Sequence, residues 1–479
     1  MVRIAALIGL LIVGAIAPAQ AQGRWLRMES PHFIVVSDHS EARVAAALER
    51  LEGFDALLRS ITRVAPDDDP VKLEVYLFRG AGLLAEVRGT TSSGSIAGFY
   101  TASPAALAEF RGDRDLADHV LFHEYAHHFM LRYFPAAYPA WYVEGFAEYV
   151  ATVDVRPDSY SIGRFEPMRI RALETTRWLP MERLLAAPVS SLSEEERQNF
   201  YAQSWLLVHY CANTPGCTDT LQRYFGAMRG GADPIAAFNE HFAKTPDALQ
   251  DELRRYIRTA LTYVTMARTP ARTPLSVSRL SPGADDLLTR DLRLRCGVQD
   301  EDRAELIDAV RRRASGSDDP FALRTLARAE ILAGDHGAAR AALSRALAAN
   351  PQDLDALYLM GVAYQREAEA NVDDETLIAE SRRHFVRAHR VDPRHAPTLY
   401  RFAMTFWTQE AAMPAERLDI LVEAANLAPQ VDEIGMNAAI QLAAHGRRDE
   451  AIAALRPIAY NPHGGQMANA ARALLAELE

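Results

Sequence analysis

His123-Glu124-Tyr125-Ala126-His127 and, 14 residues after it, Trp141-Tyr142-Val143-Glu144-Gly145-Phe146-Ala147-Glu148-Tyr149 decide how this chain is read. On a helix, positions 123 and 127 stand one turn apart and project from one face. Two imidazoles can then hold one metal ion, with Glu124 beside it. Leu116, Val120, His127 and Leu131 fall near one face, and Asp113 or Asp115 can start the helix. A catalytic zinc takes three protein ligands and keeps one position for water. Glu144 can be the third ligand, supplied by a second helix that returns after the turn at 135–139. Glu148, one turn on, is placed to accept the free N–H of a ligating imidazole, which fixes its tautomer. His119 is read as non-ligating because Glu144 is available, and His128, about 100° around the helix from His127, as packed or exposed. His209, His241 and the histidines of the C-terminal region have no partner at ligand spacing, so the tail is expected to supply no metal ligand.

Upstream, residues 30–37 read as a strand and 42–61 as an amphipathic helix with Val44, Leu48, Leu51 and Leu58 on its apolar face. After the turn cluster at 66–70, alternating Val71, Leu73, Val75 and Leu77 mark a half-buried strand. Residues 96–101 could be a further, edge strand. From about Asp113 to Met266 the signals are almost wholly helical. Strands followed by helices suggest an α+β domain over 22–266, with an α/β part to 112 and a helical part beyond. Pro270, Pro274 and Pro282 mark a linker, and 267–319 reads as linker and helical connector.

The tail hides a repeat. Pro351, Pro393, Pro429 and Pro462 each follow an Ala-rich amphipathic segment, at spacings of 42, 36 and 33. Leu323, Leu326, Ala327, Ala339, Leu343 and Ala346 precede Pro351, and Leu357, Met360, Gly361, Tyr364, Ser381, Phe385 and Ala388 precede Pro393, the last three of each set at the same distances. The first four of these match only if eight residues, around 371–376, are looped out. This alternation of large and small residues is that of a tetratricopeptide repeat, expected over 320–479. Such a stack presents a concave surface suited to a protein partner.

Composition narrows the function. The chain has 479 residues, 49% apolar and 24% charged, which excludes disorder as its main character and suggests more than one domain. A net charge of −11 argues against a nucleic-acid partner. Arg3, the apolar run 4–17 and Ala19-Gln20-Ala21 have the layout of a cleavable signal peptide over 1–21, so a secreted or periplasmic protein of a bacterium is expected, with no membrane span once the signal is removed. Cys211 and Cys217 flank Asn213-Thr214-Pro215-Gly216, a turn-forming sequence, and in an exported chain they are expected to form a disulfide that leaves Cys296 free.

The two opening stretches together resemble the gluzincin metallopeptidases, in which a His-Glu-x-x-His helix is followed by a Glu on a neighbouring helix. The resemblance implies a zincin-like α+β catalytic domain, one Zn2+ per chain on His123, His127 and Glu144, and Glu124 as the base. Related gluzincins carry a transition-state Tyr near the start of a later helix, and Tyr201 resembles that position. Peptide or protein substrate would lie extended along the edge strand at 96–101. The nearest counterpart of an aminopeptidase signature, Ser95-Ile96-Ala97-Gly98-Phe99, has no acidic residue to hold a free amino terminus, so endopeptidase action is favoured. The expectation is an exported zinc endopeptidase with an all-α tetratricopeptide solenoid that binds substrate or partner. The alternatives are a catalytically inactive periplasmic adaptor and a zinc hydrolase of a cell-wall amide.

Overall fold

The computed structural model describes residues 23–66, 71–89, 114–259, 261–269, 272–371, 374–407 and 412–479. The signal segment, the edge strand at 96–101 and the 95–99 stretch lie outside these. The chain is mostly helical. Strands β1 (Leu26–Glu29) and β2 (Phe33–Ser37) form an antiparallel hairpin, α1 (Glu41–Thr62) crosses over, and β3 (Leu73–Leu77) lies parallel to β2. β1 and β2 are two strands because Ser30 and Pro31 break the run. Helix α2 (Ala81–Arg88) follows. Then come α3 (Arg114–Tyr133) and α4 (Ala140–Ala151), the two helices of the motif.

The expected unbroken helical region is interrupted. β4 (Asp154–Val155) and β5 (Ser159–Ile162) turn about Pro157, where the Arg156 N–H donates to the Ser159 carbonyl, and β6 (Val264–Ala267) pairs with β5. Between them run α5 (Pro167–Thr175), α6 (Met181–Ala186), α7 (Glu194–Asn213), α8 (Cys217–Arg229), α9 (Pro234–Phe242) and α10 (Pro246–Tyr256). A disulfide joins Cys211 to Cys217 across the α7–α8 turn, with Cα atoms 4.9 Å apart, and Cys296 is a free thiol.

The stretch expected as linker is built into the fold. Its residues Ser276–Arg279 form β7, antiparallel to β1, giving a sheet of order β3-β2-β1-β7. Short alternating segments between prolines carry little periodicity, which is why this strand escaped the sequence reading. α11 (Gly283–Cys296) then covers one face of that sheet through Ala284, Leu288 and Leu292 against Trp25, Val36, Tyr76 and Phe78. The other face packs on α1 and α3. There Phe54 stacks on Phe122 at 4.3 Å, and the Tyr125 hydroxyl donates to Asp55 Oδ1 at 2.6 Å. Arg59 Nε donates to the other Asp55 oxygen at 2.7 Å, so the core side of α3 is tied to α1 through a buried carboxylate that accepts on both oxygens.

After α12 (Asp300–Ala314), α13 (Pro320–Ala333) pairs with α14 (His336–Ala349), and α15 (Leu354–Ala370) with α16 (Glu375–Val391). Asp319, Asp335, Asp353 and Asp374 cap the four helices by accepting backbone N–H bonds. The eight extra residues are not simply looped out. α15 and α16 have 17 residues each against 14 each in α13 and α14, so most of the insertion lengthens the hairpin. The small–large pairing is tight, since a Cβ on Gly361 would stand 2.5 Å from the Phe385 ring. α17 (Ala396–Met404) and α18 (Ala415–Leu427), α19 (Asp432–Ala444) and α20 (Arg448–Ala459), and finally α21 (Gly465–Leu478) complete the array. Its end returns to the first half: Arg132 donates to the Leu427 carbonyl, and Tyr460 packs against the main core.

Candidate metal centre

α3 divides its residues between two faces. Phe122, Tyr125, Ala126 and Phe129 enter the core, while His123 and His127 turn toward α4. Their Nε2 atoms are 3.0 Å apart, and Glu144 Oε2 stands 3.6 Å from the first and 3.4 Å from the second. Zinc bonds of about 2.0–2.1 Å in tetrahedral geometry require neighbouring ligand atoms to be about 3.3 Å apart. The triangle fits one face of that tetrahedron. Glu144 is wholly buried, and neither of its carboxylate oxygens accepts a hydrogen bond of regular geometry among the described residues. A buried carboxylate aimed at two imidazoles, with no regular hydrogen bond to either oxygen, suits a cation.

Glu148 lies one turn further along α4 and is 2% exposed. Its Oε1 is 3.4 Å from His123 Nδ1, and Arg169 from α5 holds both carboxylate oxygens, at 2.5 Å and 2.9 Å. Burial alone would raise the Glu148 carboxyl, but the Arg169 guanidinium outweighs it and holds the group well below the usual carboxylate range. The ionised Glu148 can therefore keep the His123 proton on Nδ1 and leave Nε2 free to ligate. Burial alone would likewise depress His123; the Glu144 contact and the Glu148 and Glu124 charges override it and raise the imidazole to about 9. Arg169 was invisible to motif reading because it arrives from another helix. His119 touches Glu148 at 3.7 Å and is not in the three-donor cluster. His128 is buried against the Tyr125 ring, its pKa pushed down to about 3 by burial and the Arg132 charge.

Glu124 is half-buried on the metal-facing helix, close enough for its charge to act on His123 and Tyr201. Tyr201 does not start its helix, contrary to expectation. α7 begins two turns earlier, where Ser193 and Glu196 form a capping box. The Tyr201 ring nevertheless stands 6.5 Å from that of His123 and 5.3 Å from the Arg169 guanidinium carbon. Burial, with the Glu144 and Glu148 charges, pushes its phenol well above the ordinary range, so it stays a proton donor at neutral pH.

The tail is not aloof from this centre. His463, in the turn between α20 and α21, places Nε2 2.7 Å from Glu144 Oε1, and its ring is 5.5 Å from that of His127. The sequence shows no spacing that would reveal this, because the contact joins two distant parts of the chain. His209, a buried histidine on α7, has a framework role: its Nε2 faces the Gly163 and Thr262 carbonyls at 3.1 Å, so it donates there and accepts from the Tyr256 hydroxyl at 2.9 Å on Nδ1.

Gly145 explains how α4 reaches its place. A Cβ there would lie 2.4 Å from the Ser204 carbonyl oxygen and 2.7 Å from its carbon, both backbone atoms of α7. Gly145→Ala is expected to force the two helices apart, cost about 1–3 kcal/mol of stability and displace both Glu144 and Glu148. Thermal unfolding checks this; an unchanged Tm would show that the helices do not meet so closely.

Residues 320–363 match the family model described as a tetratricopeptide repeat. That stretch of the chain is a tetratricopeptide repeat. Among solved structures, a thermophilic TPR protein of Thermus thermophilus is 20% identical, covering 36% of this chain and 91% of its own, with a TM-score of 0.32. MamA is 14% identical over 42% of this chain and 99% of its own, with a TM-score of 0.27. YrrB, described as a TPR protein with an unusual peptide-binding site, is 15% identical over 39% and 92%, with a TM-score of 0.26. No curated protein is significantly similar in sequence. The repeats point to a role in protein–protein interaction. No helix among the described residues is long and apolar enough to cross a membrane.

Proposed function

We propose that this chain is an exported zinc-dependent endopeptidase whose repeats bind a protein substrate or partner. The observation that carries the reading is the His123, His127 and Glu144 triangle, whose ligand atoms all lie within 4.8 Å of one another. The apolar run behind Arg3 supports export. Zinc held by these residues would lower the pKa of a bound water to about 7 and polarise the scissile carbonyl. Glu124 takes a proton from the attacking water at its carboxylate and passes it to the leaving amine. The Arg169–Glu148 pair keeps the His123 ring in place with its proton on Nδ1. Tyr201 donates a hydrogen bond to the oxygen on which negative charge develops and keeps its proton.

Tyr201→Phe tests that last role, because it keeps the ring and removes only the donor. Its kcat should fall about a hundredfold with zinc content unchanged. Full activity would return Tyr201 to packing alone. The reading as a whole is tested on the full chain by zinc analysis combined with casein digestion. One zinc per chain is expected, with cleavage lost on chelation and restored by zinc.

A second reading is an adaptor that binds proteins through its repeats and does not hydrolyse them. It is favoured by the repeats themselves and by His463, which stands against the third ligand. Zinc bound with no cleavage of casein or of a peptide library would support this reading against the first.

A further inference from the structure

Among the described residues, His463 brings the repeat region to the metal centre, and it does so from a built turn. Asn461 accepts the His463 backbone N–H on its side-chain oxygen at 3.0 Å, and the Gly464 N–H donates to the Asn461 carbonyl at 3.1 Å. Pro462 occupies the second position of this turn, where its fixed φ is already suitable. The Asn461 amide also donates to Asp432 Oδ2 of α19 at 3.0 Å, and Arg472 of α21 donates to the Ala459 carbonyl at 2.6 Å. Tyr460, just before the turn, packs against the core of the first half. His463 is therefore carried by a braced turn. Its side chain is 54% exposed, whereas the Glu144 side chain it touches is 0% exposed. The imidazole thus stands on the solvent side of the buried carboxylate.

We propose that His463 is a latch on the metal centre: it holds the outer oxygen of Glu144 and covers the approach to the three donor atoms. Access then depends on where the α20–α21 hairpin sits. The hairpin belongs to the repeat array, so a protein segment that shifts it withdraws His463 and exposes the donors. Binding by the repeats and access to the centre become one equilibrium. The proposal rests on the zinc reading for its consequence, although the contact between His463 and Glu144 exists without it.

The test uses the full chain loaded with cobalt(II) in place of zinc, and acetohydroxamate as an added metal ligand read by the cobalt absorption spectrum. If the latch is closed nine-tenths of the time, it weakens hydroxamate binding about tenfold. His463→Ala should therefore bind the hydroxamate about tenfold more tightly than the wild type. Asn461→Ala, which loosens the turn without touching the centre, should move the affinity in the same direction. Cobalt bound with equal hydroxamate affinity in all three proteins would overturn the latch and leave the zinc reading standing. No cobalt uptake in any of them would overturn both.

Discussion

Glu124→Gln is expected to bind zinc as the wild type does and to hydrolyse peptide roughly a hundred- to ten-thousandfold more slowly. The substitution keeps the shape of the side chain and removes its basicity. Glu124 is not one of the three clustered donors, so the His123–His127–Glu144 triangle survives. Its negative charge acts on His123, Tyr201 and His463, which places it on the rim of the centre where a proton must be received and returned. Zinc stoichiometry and kcat measured on the same sample separate the two effects. A wild-type rate would remove Glu124 as the base and with it the proposed hydrolysis.

Glu144→Ala should have the opposite profile, losing the metal itself. Removing an outer partner of a metal ligand typically lowers affinity 10–100-fold, so removing the ligand should cost at least about a hundredfold. The loss goes beyond one donor. Glu144 is wholly buried, and it provides the contact that most raises His123. Without it, His123, His127 and His463 face one another with no anion between them. Competition with a chromophoric chelator measures the change. Unaltered zinc affinity in this variant would assign the third ligand elsewhere.

The parts of this site that are local in sequence were legible, and the parts that are long-range were not. His123 and His127 follow from one helical turn, and Glu144 and Glu148 from the same rule on the helix that comes back. α1 and β3 came within a few residues of their expected bounds because their apolar positions follow periods of 3.6 and 2. β7 was missed because an edge strand among prolines has too few residues to show a period, and its partner β1 is at the other end of the first half. Arg169 and His463 reach the centre only through tertiary packing. Gly145 was quoted in the motif, but its need to be Gly is apparent only once the Ser204 carbonyl is seen against it.

The central claim is that His123, His127 and Glu144 hold one zinc ion. An anomalous difference map collected at the zinc edge, from crystals of the full chain grown with stoichiometric zinc, addresses it directly. A single strong peak should lie between His123 Nε2, His127 Nε2 and Glu144 Oε2. A cluster without a peak, or zinc bound only at surface carboxylates, would contradict the account.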